Sequence, residues 1–191
     1  MEMCKIKLLL KSTSPILFSR YHNVEHLEGE EPDKYEMRTW KDRAHTNEEG
    51  SIIIPGYMFQ KTLEEGGKLT GERVGGKKMG KSLHQHLASI RVIGDIDTGI
   101  AKDDVQGHPA FVSSNGKPGG GKIMRIFPKI DHWRGILTFT YPKLGVLNEE
   151  IIMKYLDMAG ACIGVGHWRP GSPSRGSYGT FIVRKPKLKT E

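Results

Sequence analysis

Cysteine is scarce: two among 191 residues, too few for a disulfide framework. Cys4 and Cys162 stand in apolar strings and read as reduced core residues, neither a bridge nor a metal site. No apolar run approaches the roughly 20 residues of a membrane span, and no signal-peptide pattern opens the chain. Those absences predict a cytoplasmic protein with no membrane partner. Zinc-ligand spacing, a P-loop and a nucleophile elbow are also missing, so no metal and no cofactor are expected. The scarcer charge is the acidic one. Lysine and arginine number 29 against 22 aspartates and glutamates, a formal charge of +7, which favours an anionic partner such as nucleic acid over a merely basic surface.

What is present begins with "CKIKLLL". Cys4, Ile6, Leu8 and Leu10 face one way, Lys5 and Lys7 the other, the alternation of a half-buried strand. A polar stretch follows, residues 19–50, with almost no buriable periodicity. It is too long for an ordinary connection and reads as an insertion, functional or partly disordered. Within it "PDKYEMRTWKDR" suits a short helix with Pro32 in its first turn. "SIIIPGYMFQKTLEEGGKLTG" is a strand, a Pro-Gly turn and a helix. Phe59, Leu63 and the Gly66–Gly67 pair share one face, the glycines either ending the helix or permitting close packing.

Downstream, "LHQHLASIRVIGDI" predicts a turn of helix and a strand, and "HPAFV" a short strand. "IMRIFPKI" leads into "GILTFTYPK", where Leu137, Phe139 and Tyr141 alternate with threonines. "LNEEIIMKYLDMAGACIG" is the clearest helix. Asn148 is its N-cap, Glu149 and Glu150 suit the positive end of its dipole, and Ile152, Tyr155, Leu156, Ala159 and Ile163 form its buried stripe. Without the insertions the order is strand–helix–strand–strand–helix–strand. The expected fold is α+β, a ferredoxin-like (RRM-like) βαββαβ core with long insertions.

The stretch before the last strand, "GHWRPGSPSRGSYGTFIVRK", is both flexible and cationic. Gly164, Gly166, Gly171, Gly176 and Gly179 lack side chains, so their N–H groups can approach an anion closely. Arg169 and Arg175 supply charge, and His167, Trp168 and Tyr178 offer flat faces to unstacked bases. A plain turn is also rich in glycine and serine, but it needs neither two arginines nor a tryptophan. Two further glycine-lysine stretches, 66–82 with Lys77, Lys78 and Lys81, and 113–122 with Lys117 and Lys122 followed by Arg125, suit either backbone tracking or a solvated linker. The tail 184–191 is basic as well and reads as a solubilising end.

The opening strand, "IIIPGYMFQKTLEEGGKL" and "GVGHWRPGSPSRGSYGTFIV" stand in the order seen in the repeat-associated mysterious protein (RAMP) superfamily, and the chain resembles it in these three segments. The chain is also similar to proteins encoded in prophages and other mobile elements. The resemblance implies one RAMP-like domain over 1–191, like the backbone subunits of CRISPR effector complexes in antiviral defence. Such a domain would bind single-stranded RNA along its phosphates, assemble side by side as a homo-oligomer, and meet other effector subunits. The alternatives are a metal-independent guide-processing endoribonuclease and a phage single-stranded DNA-binding or annealing protein.

A metal-independent ribonuclease needs a base for the 2′-hydroxyl and a donor for the leaving oxygen. His22, His26 and His45, with Tyr21, are candidates, although loop histidines are more often solvated than catalytic. The resemblance adds Asp33, because an aspartate after the first strand takes part in metal-dependent RNA cleavage in some backbone subunits. No motif fixes that register, and no catalytic residue is assigned.

Overall fold

The computed structural model describes residues 2–74, 81–114, 121–143 and 145–186, with the side chains of 74, 81 and 82 left aside. Chain order begins with β1 (Met3–Ser12), β2 (Ile16–Leu17), α1 (Pro32–Thr39), a 3-10 turn at Trp40–Arg43, β3 (His45–Thr46), β4 (Ser51–Ile54) and α2 (Gly56–Thr70). Then come β5 (Arg73–Val74), β6 (Lys81–Ser82), α3 (Leu83–Leu87), β7 (Arg91–Ile93) and β8 (Ile96–Ala101). A second 3-10 turn, Lys102–Asp104, leads to β9 (Gln106–Ser113), β10 (Lys122–Ile130), β11 (Arg134–Pro142), α4 (Glu149–Cys162) and β12 (Phe181–Arg184).

The architecture is mixed α/β with antiparallel sheets. Alternation in β1 sends Ile6, Leu8 and Leu10 into the core, where Ile6 lies opposite Phe139 and Leu8 opposite Leu137 of β11. The main sheet has the order β12-β1-β11-β7, every neighbouring pair antiparallel. Helices α2 and α4 cover one face through Phe59, Leu63, Ile152, Tyr155 and Leu156, all buried, each contributing about 1.5–3 kcal/mol by leaving water. Asn148 caps α4 as its sequence predicts, its side-chain oxygen accepting from the Ile151 N–H at 2.8 Å. Gly66 lets the two helices meet: a Cβ there would stand 2.5 Å from that of Ala159. Smaller sheets, β2-β10-β9 and β3-β4-β8, carry the rest, with β5 and β6 a two-stranded ribbon.

Four differences from the sequence reading have physical causes. Residues 66–70 belong to α2 and not to the loop that follows, because the paired glycines face Ala159, Leu87 and His84. Cys162 is exposed at the last turn of α4, off its buried stripe, whereas Cys4 is half-buried as an inward position of β1 should be. The "RVIGDI" segment makes two strands in different sheets, broken at Gly94 with φ +85°. The 19–50 insertion, finally, contains a buried anchor. Glu36 accepts from Arg43 at 2.6 and 2.8 Å, from Arg125 at 2.8 Å and from the Ile126 N–H at 2.7 Å. It thereby ties α1 to β10. Among the described residues no helix is long and apolar enough to cross a membrane.

Candidate nucleic-acid interface

Between α4 and β12 the chain makes a loop stitched to itself and to the segment after β1. His167 donates its N–H to the Leu17 carbonyl, Val165 to Gly179, Tyr178 to Trp168, and Gly179 to Pro15. The N–H groups of Gly164, Gly171 and Gly176 also end on carbonyls, of Ala159, Ile163 and Arg169. The anion cradle suggested by the glycines is therefore closed at these four positions. Gly176 and Gly179 serve packing instead, since a Cβ on either would overlap a carbonyl oxygen, of Trp168 or Val165. Trp168 and Arg175 hold left-handed backbones, φ 51° and 43°, which cost about 1–3 kcal/mol each in a non-glycine residue. The loop's own hydrogen bonds maintain that strain, and strain of this kind gathers where a loop has a task.

The aromatic side chains of the loop lie against the β9–β10 hairpin. His167 stacks on Phe127 with centroids 4.6 Å apart, and Trp168 lies 5.0 Å from both. The Tyr178 hydroxyl sits 3.4 Å from His108 Nε2. Trp168 and Tyr178 are half-buried in this cluster.

Beside the cluster opens a cleft of about 370 Å³. One wall is Phe18 to Tyr21 with His45, another the first turns of α2 with Tyr57 and Lys61, and the third Gly166, His167 and Arg169 of the loop. Three cations, Arg20, Lys61 and Arg169, share a rim with two tyrosines that are 84% and 60% exposed, Tyr21 and Tyr57. No carboxylate lines it among the described residues. Glu65 reaches Arg169 from one turn along α2, at 3.4 Å and partly exposed, a contact weak enough to exchange for a phosphate. Burial, aided by the Arg20 charge and opposed by Asp95, holds His45 below the usual histidine pKa. Burial and then the Arg43 charge do the same for His167. Both shifts favour the neutral imidazole, a ring fit to stack.

The remaining sequence candidates scatter. His22 and His26 stack on Tyr35 of α1, centroids 6.3 and 3.8 Å away, and His26 Nδ1 lies 4.0 Å from Glu30. Asp33 is exposed in the first turn of α1, where it suits the helix dipole. Only His45 of the four lines the cleft. Arg125 is paired with Glu36, and its role is structural. Arg175 is exposed outside the cleft with no ion pair among the described residues, and Lys122 is exposed at the start of β10. Lys77, Lys78 and Lys117 lie outside the described residues, as does the side chain of Lys81. Among the described residues no group of three or more His, Cys, Asp and Glu side chains forms a metal site. Sequence reading missed Arg20, Tyr57 and Lys61. The last two, one helical turn apart at the start of α2, were the findable pair.

No protein-family model matches the sequence, and no curated protein is recognisably similar to it. Among solved structures, Cmr6 from Pyrococcus furiosus overlays with a TM-score of 0.49 and 12% identity, over 96% of this chain and 100% of that one. An overlay at this level fixes neither the strand pairing nor a ligand.

Proposed function

We propose that the chain is a RAMP-like, single-stranded RNA-binding domain that seats the strand in the cleft between α2 and the glycine-rich loop. The carrying observation is the rim itself: Arg20, Lys61 and Arg169 beside exposed Tyr21 and Tyr57, with no carboxylate in the wall among the described residues. Cations that track phosphates beside aromatic faces are the two requirements of single-strand binding. The path β1-α2-β7-β11-α4-β12 with sheet order β12-β1-β11-β7 agrees with a ferredoxin-like core, the other elements being insertions. Copies arranged side by side, together with other effector subunits, would extend the strand's path, as the sequence resemblance implies.

The test is the triple variant Arg20→Ala, Lys61→Ala, Arg169→Ala titrated with a labelled single-stranded RNA and with DNA of the same sequence. Affinity should fall by about 2–4 kcal/mol, near 1 for each charge-assisted hydrogen bond and least for Arg169, which must first leave Glu65. The log–log salt slope should flatten by about 2, near 0.7 for each phosphate no longer neutralised. Unchanged binding by the folded variant overturns the proposal, and preference for DNA moves it to the single-stranded DNA reading.

One observation favours a second reading. His45, shifted toward its neutral form in the cleft, lies edge-on to Tyr57 with centroids 6.3 Å apart, a base and a donor for cleavage at a 2′-hydroxyl. Such an enzyme releases discrete products from labelled RNA in EDTA, and His45→Ala abolishes them while binding persists. An RNA left intact by the parent protein excludes it.

A further inference from the structure

Among the described residues the second face of the main sheet exposes most of its outward side chains, and the charge on its strands is of one sign. Positions alternate out of β1 as Lys5, Lys7, Leu9 and Lys11, the three lysines all exposed. The register puts Arg134, Ile136 and Thr138 of β11 opposite Lys11, Leu9 and Lys7, and Arg91 of β7 opposite Thr140. On the other side Arg184 and Ile182 of β12 lie opposite Leu9 and Lys11. No acidic residue occupies an outward position on these four strands. Lys5, Lys7, Lys11 and Arg134 make no ion pair among the described residues; Arg184 has only a loose one, 3.9 Å to Asp157. Five cations thus share this face, with Arg184 at its edge, where it donates to the Val183 carbonyl at 2.8 Å and lies near Asp157 of α4.

We propose that this face is a second polyanion-binding surface, which takes the sugar–phosphate backbone of a double-stranded nucleic acid. Alternate residues on a strand stand about 6.8 Å apart, so the lysines of β1 form a straight row about 20 Å long. Four strands spaced about 4.8 Å apart place Arg184 and Arg91 on either side of it. The cations are fixed on a sheet and not on mobile loops, which suits a rigid partner. No aromatic side chain occupies an outward position, so the face lacks the stacking platforms that hold unpaired bases. That separates it from the cleft, where Tyr21 and Tyr57 are prominent. Ile136 and Ile93, each 54% exposed, make a narrow apolar strip that lysine stems can overlie. A protein partner fits less well, because protein interfaces deplete lysine at their centre and here Lys7 and Lys11 bracket central Leu9.

The experiment titrates a blunt 20-base-pair duplex, RNA and DNA in turn, into the parent and into Lys5→Gln, Lys7→Gln, Lys11→Gln across a salt series. These side chains are exposed, so the fold should survive, with circular dichroism and melting as the check. Duplex affinity should fall at least about tenfold, and the salt slope should flatten by about 2.7, or 0.9 for each phosphate no longer neutralised. The cleft variant should keep duplex binding, and the lysine variant should keep single-strand binding, so that failure of one surface does not imply failure of the other. A parent that ignores the duplex, or a lysine variant with the parent's affinity and slope, overturns the proposal. So does binding to poly-glutamate without binding to the duplex, which would make the face a protein-docking site.

Discussion

Replacing Glu36 by alanine should destabilise the protein by about 3–5 kcal/mol, the range for breaking a buried ion pair from one side. Glu36 is 2% exposed and Arg43 7%, so the arginine cannot turn to water when its partner is removed. The Ile126 N–H loses its acceptor in the same step. Glu36→Gln keeps the volume and one acceptor oxygen and should cost less. The effect should reach the cleft, because Phe127, beside Ile126, carries the stacked His167. Binding of single-stranded RNA should therefore weaken in variants that still fold.

The pH dependence follows from the same site. Burial pushes the Glu36 pKa up most strongly, but hydrogen bonds from Arg43, the Ile126 N–H and Arg125 together outweigh it, and the net shift is downward from 4.5. A carboxyl depressed in the fold adds stability that is complete above its unfolded pKa and lost as pH falls through the folded one. Urea melts should show the parent weakening below about pH 4.5, with Glu36→Gln flatter over that window. Equal pH dependence in the two proteins would remove Glu36 as the source.

Much of the scaffold was legible because it rests on local pattern. Period two in β1 and β11, and the stripe and Asn148 cap of α4, need no knowledge of distant residues. The cleft was not legible, since residues 18–21, 45, 57–62 and 165–169 meet only after three sheets have formed. Glu36 was hidden for a different reason. A lone buried carboxylate in a polar stretch looks solvated until the two arginines, one of them 89 positions away, close on it. The glycines of the last loop were visible as a cluster, but composition cannot separate a glycine that approaches a ligand from one that approaches its own chain.

Gly179→Ala should unfold the loop before it affects any ligand. Two costs combine. The backbone there has φ +71°, which an L side chain adopts at about 1–2 kcal/mol. A Cβ would also overlap the Val165 carbonyl oxygen, which accepts no rotamer change as relief, and such overpacking costs about 1–3 kcal/mol more. The expected loss is about 2–5 kcal/mol, read as a fall in the denaturation midpoint at unchanged m-value. Gly29→Ala is the control. Its φ is also +71°, but nothing lies within 4 Å of the added carbon, so only the first cost applies. Gly179→Ala moves the same chain that positions His167 and Arg169, so RNA binding should fall with stability, even though every ligand-facing side chain is still there. If Gly179→Ala is no more destabilising than Gly29→Ala, the loop has slack that its hydrogen bonds do not suggest. The glycines would then be free to turn outward toward a phosphate.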